Sequence, residues 1–208
     1  KNVLDILTRI DHSTIYKIKS SFGNDALGGK KFFGFRFKKI NTNKRLFNKS
    51  LGGGSILDGA IYPISLLVDI LSLFNKDYLE NFQIYKCSKK ISNDIDVNSK
   101  IYGKIQKIQI EIETSLIENL NNNFEIYTND KIIKIENIFN ISPNSKMQIN
   151  RDGNIEKVSN VDKNNSYYYE IKQISQLLIN DIEKNKNYIK NFDKIEKNFR
   201  FLSKWLLS

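Results

Sequence analysis

A carboxylate and a phenol, Asp58 and Tyr62, stand four residues apart just after three consecutive glycines, Gly52, Gly53 and Gly54. On a helix, that spacing puts both side chains on one face. Glycines let the backbone approach a ligand closely or take up φ values that other residues avoid. The pair would then lie near a helix start with room beside it. Ser55-x-x-Asp58 also has the form of a capping box with Asp in place of Glu. The residues alone therefore leave two roles open: an acid and a phenol that face a ligand, or a helix cap and a packing residue. Pro63 constrains the geometry, because inside a helix its ring would meet the carbonyl of Gly59. The spacing predicts either a kink there, or a turn over 58–62 with Pro63 opening the helix.

Other chemistries find few residues to carry them. G-x-G-x-x-G does not occur. Asn24 to Lys31 approaches a phosphate-binding loop, but Lys31 stands where Ser or Thr should hold magnesium, and Asn24 where Gly should stand. The single cysteine, Cys87, excludes an internal disulfide and fits a reducing, cytoplasmic setting. In its apolar run it reads as a small buried hydrophobe. With one Cys and one His, His12, no zinc site of the common kind can be built, and no metal is expected. No run of 18 apolar residues is present, so no membrane partner is expected.

The formal charge of +10 raises the question of an anionic partner. Most lysines are interleaved with Asp and Glu, which reads as a solvated mixed surface. Between residues 30 and 49 the pattern differs. Lys30, Lys31, Arg36, Lys38, Lys39, Lys44, Arg45 and Lys49 occur there with no acid among them. They suit a phosphorylated or nucleotide-linked ligand, with Arg45 the best single contact. A basic solvated strand face fits them equally. A nucleic-acid module is a further alternative, resting on this charge and on Phe33, Phe35 and Phe37.

The elements that must position these residues follow from periodicity. Val3 to Ile10 has helical spacing. Residues 14–22 and 32–40 read as strands, the second with an aromatic face. Ser55 to Phe74 is apolar and long enough for one helix. Candidate strands follow at 81–90, 104–113, 123–127, 131–139 and 146–150, the last paired with 155–158 around Asp152-Gly153. Residues 168–182 form an amphipathic helix. Phe192, Ile195, Phe199, Leu202, Trp205 and Leu206 mark another. Grouped strands argue for an α+β domain with an open, largely antiparallel mixed sheet and helices on one face. No repeated βαβ signal appears, so a Rossmann domain is absent from these 208 residues.

The glycine–Asp–Tyr run resembles the G-G-G-x-x-x-D-x-G-x-[HY] signature of the C-terminal domain of the glucose–fructose oxidoreductase / inositol dehydrogenase (Gfo/Idh/MocA) family. Gly52, Gly53, Gly54, Asp58 and Tyr62 match it, and Ala60 departs from it where the family usually has Gly. Arg45-Leu46-Phe47 resembles the family's Arg shortly before the glycines, and Tyr169-Glu170-Ile171 a typical helix start. The family usually has His at the Tyr62 position, with Tyr in its glucose–fructose oxidoreductase and dihydrodiol dehydrogenase branches.

The resemblance implies an NAD(P)-dependent oxidoreductase acting on a sugar or nucleotide-sugar hydroxyl or carbonyl. NAD or NADP would be bound mainly by a nucleotide-binding domain that precedes this one. Asp58 and Tyr62 would be catalytic, with Arg45, Gly53 and Gly54 at the substrate. Residues 1–13 would be the tail of a linker helix, and residues 14–208 the substrate-binding and oligomerisation domain, inactive by itself. Homo-oligomers would form through the sheet face, on rows of alternating Ile and Phe. No nucleic-acid partner is expected on this reading, and a non-catalytic basic binding or oligomerisation module is its alternative.

Overall fold

The computed structural model describes residues 8, 10–27, 31–32, 35–36, 41, 43–73, 81–139, 146–159, 171, 175 and 186–208. Its longer strands are β1 (Ile15–Gly23), β4 (Phe82–Ser92), β5 (Ile95–Ile105), β6 (Ile108–Ser115), β7 (Phe124–Thr128), β8 (Ile132–Glu136), β9 (Lys146–Arg151) and β10 (Asn154–Ser159). These eight make one open sheet in the order β10-β9-β8-β7-β1-β6-β5-β4. Only β1 and β6 run parallel, Ile18 opposite Ile110 and Ser20 opposite Ile112. Every other neighbour is antiparallel. Two short strands, β2 (Lys31–Phe32) and β3 (Phe35–Arg36), pair only with each other. Three α-helices have bounds among the described residues, α1 (Ser55–Asp58), α2 (Ile61–Ser72) and α3 (Lys186–Leu207).

Isoleucine alternation decides which face of the sheet the helices cover. Ile18, Ile110, Ile112, Ile126, Ile133 and Ile135 share one buried cluster with Ile64, Leu67 and Leu71 of α2 and with Phe201, Leu202 and Trp205 of α3. Trp205 is fully buried, and its indole N–H donates to the Ser99 hydroxyl at 2.8 Å. Phe82 stacks on Phe201 at 4.0 Å between ring centroids. A buried indole needs both apolar contact and a partner for its polar edge, and β4, β5 and α3 supply both here. The α+β architecture with an open, mostly antiparallel sheet is the one expected from the sequence.

The apolar rows are therefore core, and the opposite face of the sheet is charged. Glu111 lies 2.9 Å from both Lys17 and Lys100, with Lys19 at 3.9 Å. Lys86 and Lys100 lie over the Tyr102 ring, and Lys17 over Tyr127. This corrects the interface expected on the Ile rows; Phe33 and Phe37 of the expected Phe row lie outside the described residues. A sheet with helices on one side buries its alternating apolar residues there, and leaves the intervening positions to polar side chains.

Burial alone would raise the Glu111 carboxyl, but Lys17 and Lys100 outweigh it and hold Glu111 below the usual carboxylate range. A folded-state depression gives stability that is present above the ordinary carboxylate pKa and is lost as pH falls through the lower folded value. Glu111→Gln should accordingly lower stability by about 1–2 kcal/mol at neutral pH. Wild type and variant should converge on acidification. Denaturant titrations at several pH values measure this, and a gap that persists in acid would contradict it.

Several expected elements shift. The single helix over 55–74 is two, broken at Gly59 and Ala60, with Phe74 outside the described residues. Pro63 is the third residue of α2 rather than its first. In that first turn its missing N–H deprives no helical acceptor. The strand expected at 104–113 is split by a turn at Gln106 and Lys107 into β5 and β6. The hairpin around Asp152-Gly153 forms as expected, with both residues at positive φ. The helix expected at 3–10 and most of 168–182, 32–40 and the linker segment 1–13 lie outside the described residues, apart from Thr8, Ile10–Ser13, Ile171, Ser175 and the short strands above. No single helix is long and apolar enough to cross a membrane. Segments 49–58 and 61–72 meet that test jointly, as a pair bent by 50°. Ile64, Leu67, Val68, Ile70 and Leu71 of that pair are buried in the protein's own core.

Candidate active site

The parallel pair β1 and β6 ends at Gly23 and Ser115, and the glycine-rich segment crosses the sheet at that same end. Two 3-10 turns, Arg45–Phe47 and Lys49–Leu51, lead into it. Phe47 is buried with Leu27, Ile95, Val97 and Leu116 in a second small core that anchors these turns. The glycines then fold back on them. The Gly53 amide donates to the Asn48 carbonyl at 2.9 Å, and the Gly54 amide to the Leu46 carbonyl at 3.0 Å. A side chain at Gly53 would lie 2.5 Å from the Arg45 carbonyl oxygen. Gly54 has φ 125°, and a side chain there would lie 2.5 Å from Asp96 Oδ1. The close approach that these glycines allow is thus to their own chain. Gly53 and Gly54 are buried, and they bring the Arg45 turn, α1 and β5 together.

The expected capping box does not form. Gly54 is the N-cap of α1, with no side-chain cap, and Ser55 is its first residue. The cap comes instead from β5. Asp96 Oδ2 accepts from the Ser55 hydroxyl at 2.6 Å and from the Ile56 amide at 2.7 Å. A carboxylate at a helix start satisfies donors that have no partner within the helix. Asp96 is 9% exposed. It reaches α1 because the β4–β5 register shifts between Lys90 and Ile91, leaving Val97 without a partner on β4. A bulge of this kind re-aims a neighbouring side chain. Thr114 of β6 completes the clasp by donating to the Ser55 carbonyl at 3.0 Å.

With its capping role taken over, Asp58 is free to face outward, and it pairs with Arg45 through Nη2 and Oδ1. The Asp58 side chain is 28% exposed and that of Arg45 57%. Tyr62, in the first turn of α2, is 48% exposed, whereas Ile56, Ala60 and Ile64 around it are fully buried. Its ring lies 4.5 Å from Phe22 at the end of β1, and 6.3 Å from Phe139, measured between centroids. Phe139 meets Phe22 edge to face at 5.5 Å. The structure therefore joins Asp58 to Arg45, and Tyr62 to an aromatic cluster. Among the described residues no hydrogen bond links Tyr62 to Asp58.

Phe22, Phe139, Asp96 and Thr114 are neighbours of the site that sequence reasoning does not single out. Of these, Phe22 and Phe139 carry a sequence signal, each as the end of an expected strand. Cys87 packs partly buried against the main core, as its apolar run suggests. A depression lined by Gln83, Tyr85, Lys104, Gln106, Lys107 and Gln109 lies at the other end of the sheet, away from Asp58. Among the described residues no group of three or more His, Cys, Asp and Glu is placed to hold a metal ion.

No family model matches the sequence, and no curated protein matches it. Solved structures do. One is KijD10, a 3-ketoreductase from Actinomadura kijaniata in complex with NADP and TDP-benzene. It matches 94% of this chain and 53% of its own at 14% identity and TM-score 0.69. A dehydrogenase (MviM) from Clostridium difficile matches 98% of this chain and 57% of its own at 15% identity and TM-score 0.64. An aldose-aldose oxidoreductase from Caulobacter crescentus, complexed with glycerol, matches 80% and 46% at 10% identity and TM-score 0.60. The chain spans about half the length of these proteins. At such identities the likeness establishes the fold, which is that of the α+β C-terminal domain of Gfo/Idh/MocA proteins.

Proposed function

We propose that this chain is the substrate-binding domain of an NAD(P)-dependent oxidoreductase acting on a hydroxyl or carbonyl of a sugar or nucleotide sugar, and that it needs a nucleotide-binding domain for activity. The observation that carries the reading is the helix junction at Gly59 and Ala60. It leaves Asp58 partly exposed and Tyr62 exposed, one turn apart, where the inward residues Ile56, Ala60 and Ile64 are core. The structures that share the fold are a ketoreductase, a dehydrogenase and an aldose oxidoreductase, which agrees with this.

A nicotinamide nucleotide, when bound, would exchange the hydride. The described residues offer its pyrophosphate no glycine cradle, since Gly53 and Gly54 face their own chain, so its binding falls to the other domain. Tyr62 would hold or release the proton on the substrate oxygen. A free phenol ionises near pH 10, or about that, so a cation from the nucleotide-binding half would help it act at neutral pH. Asp58 would orient that cation or a substrate hydroxyl. Arg45 would meet an anionic part of the substrate, with Gly53 and Gly54 contributing by fixing its turn. Phe22 and Phe139 would back the Tyr62 ring and offer an apolar floor.

For self-association, the charged sheet face is the candidate surface. Lysines on β4 and β5 and glutamates on β6 and β7 give it both signs, so a two-fold related copy could pair them. The alternative of a nucleic-acid module would rest on the net charge of +10 and on Phe33, Phe35 and Phe37, but on the described sheet face Glu111, Glu113 and Glu125 lie among the lysines. Supplying a nucleotide-binding domain, fused or in trans, should produce oxidation of NADPH or NADH that depends on a keto-sugar substrate. Absorbance of the reduced nicotinamide measures this. Absence of turnover across keto sugars and nucleotide-linked keto sugars, with the two domains shown to associate, would overturn the proposal.

A further inference from the structure

Arg45 is at once the partner of Asp58 and an exposed cation at the edge of the site, and these two roles conflict. We infer that Asp58 and the anionic group of a ligand compete for the Arg45 guanidinium, so that arrival of a phosphate-bearing ligand releases the Asp58 carboxylate. This rests on the reading of the site given above, and adds to it an order of events and a preference for phosphorylated over neutral ligands.

Three observations carry the inference. First, the Arg45 backbone is fixed. Its carbonyl lies against Gly53, and hydrogen bonds from Gly53 and Gly54 hold the turn from Leu46 to Asn48. Only the side chain is left to move, and it is 57% exposed. Secondly, Asp58 engages the guanidinium through one of its nitrogens. A guanidinium has five N–H donors in a planar fork, or about that many usable ones. A bidentate phosphate takes two parallel donors of that fork, and one that takes Nη2 displaces Asp58 without any rearrangement of the protein core. Thirdly, Lys44 and Lys49 are exposed on the same pair of turns, with no acid in the sequence from 30 to 49. An anion arriving at this corner meets cations for which Asp58 is the acidic competitor.

The energetics favour exchange. An exposed ion pair is worth about 0–1 kcal/mol, whereas an Arg–phosphate pair can be bidentate and charge-assisted. Loss of the first is more than offset by the second. Once released, Asp58 can accept a hydrogen bond from a ligand hydroxyl. A neutral sugar, unable to draw Arg45 away, would meet a carboxylate already engaged. The device therefore discriminates by charge without any contact between the phosphate and the acid.

Inorganic pyrophosphate is the probe, titrated into the 208-residue chain by calorimetry at fixed low ionic strength. Asp58→Asn should bind it several-fold more tightly than wild type, up to about five-fold for a pair worth about 1 kcal/mol. Asp69→Asn on α2, which removes the same charge from an exposed pair with Lys194, should leave affinity unchanged and controls for net charge. Arg45→Gln should weaken binding about ten-fold or more, and Arg45→Lys should fall between, because an ammonium lacks the fork. The inference is overturned if Asp58→Asn binds no more tightly than Asp69→Asn, or if Arg45→Gln binds as wild type does. No hydride transfer enters this titration. A failure to find oxidoreductase activity leaves its outcome untouched, and a failure here leaves that activity to its own test.

Discussion

Asp96→Ala should lower the stability of the chain by about 2–4 kcal/mol, because it leaves a buried hydroxyl and a buried amide without acceptors. Both donors meet one oxygen, Ser55 Oγ at 2.6 Å and Ile56 N at 2.7 Å, in a place where water cannot readily substitute. The effect should also be local. α1 is a single turn, too short to persist on its own, and Asp58 lies at its end. Amide exchange at Ile56, Leu57 and Asp58 should accelerate more than exchange in the sheet. Asp96→Asn keeps an acceptor oxygen and should recover roughly half of the loss. Denaturant unfolding with native-state hydrogen exchange measures both effects. A variant as stable as wild type, with α1 exchange unchanged, would show that the Asp96 cap does not hold the site in place.

That cap also marks the limit of what sequence can reveal. Ser55-x-x-Asp58 satisfies a local capping pattern, and a local pattern is all that periodicity can test. The acceptor that the chain uses lies 41 residues from Ser55, on a strand whose first half gives no periodic signal. There is a physical reason for that silence in β5. Its helix-facing positions run Val97, Ser99, Ile101, Gly103, Ile105, and the small residues at 99 and 103 dilute the alternation. Ser99 is small and polar because it receives the Trp205 N–H. Gly103 has no side chain because one would lie 2.6 Å from the Phe82 ring. The turn that separates β5 from β6 is equally silent, since Gln106 takes φ 51° without a glycine or asparagine to signal it. Where turn chemistry is conventional, as at Asp152-Gly153, sequence and structure agree on the hairpin.

Packing explains the other shifts. Phe192, Ile195, Phe199, Leu202, Trp205 and Leu206 share helical spacing, yet among the described side chains of α3 the buried ones are Asn198, Phe201, Leu202 and Trp205, while Ile195 and Phe199 stay exposed. The apolar arc of this helix is wider than the surface that β4, β5 and α2 present to it. Periodicity gives the arc, and only the tertiary contact selects which part is covered. The Arg45–Asp58 pair is out of reach in the same way. The two stand 13 positions apart, and their meeting depends on the path of a glycine-rich turn rather than on any helical or strand period. What sequence does supply is residue identity: the glycine–Asp–Tyr run and the resemblance it carries point to Asp58, Tyr62 and Arg45. Asp58 and Arg45 are in contact, and Tyr62 is one turn further on.

Tyr62→Phe, in the protein assembled with a nucleotide-binding domain, should reduce kcat by about 10²–10⁴-fold, the usual contribution of a positioned proton carrier, while KM changes little. The separation of the two parameters follows from the surroundings of the ring. Tyr62 is held by Phe22 at 4.5 Å and flanked by Phe139, contacts that phenylalanine keeps. No hydrogen bond to its hydroxyl is formed among the described residues, so removal of the oxygen leaves no buried partner unsatisfied. The fold and the substrate surface should survive, and only the proton step should suffer. Phe22→Ala should do the reverse in kind. It keeps the hydroxyl but removes the ring against which Tyr62 is set, so both kcat and KM should worsen. Steady-state kinetics on the pair of variants measures the contrast, with thermal unfolding as a check that Tyr62→Phe is folded. Full activity in a folded Tyr62→Phe protein would exclude the phenol as the proton carrier and return Tyr62 to a purely aromatic role beside Phe22.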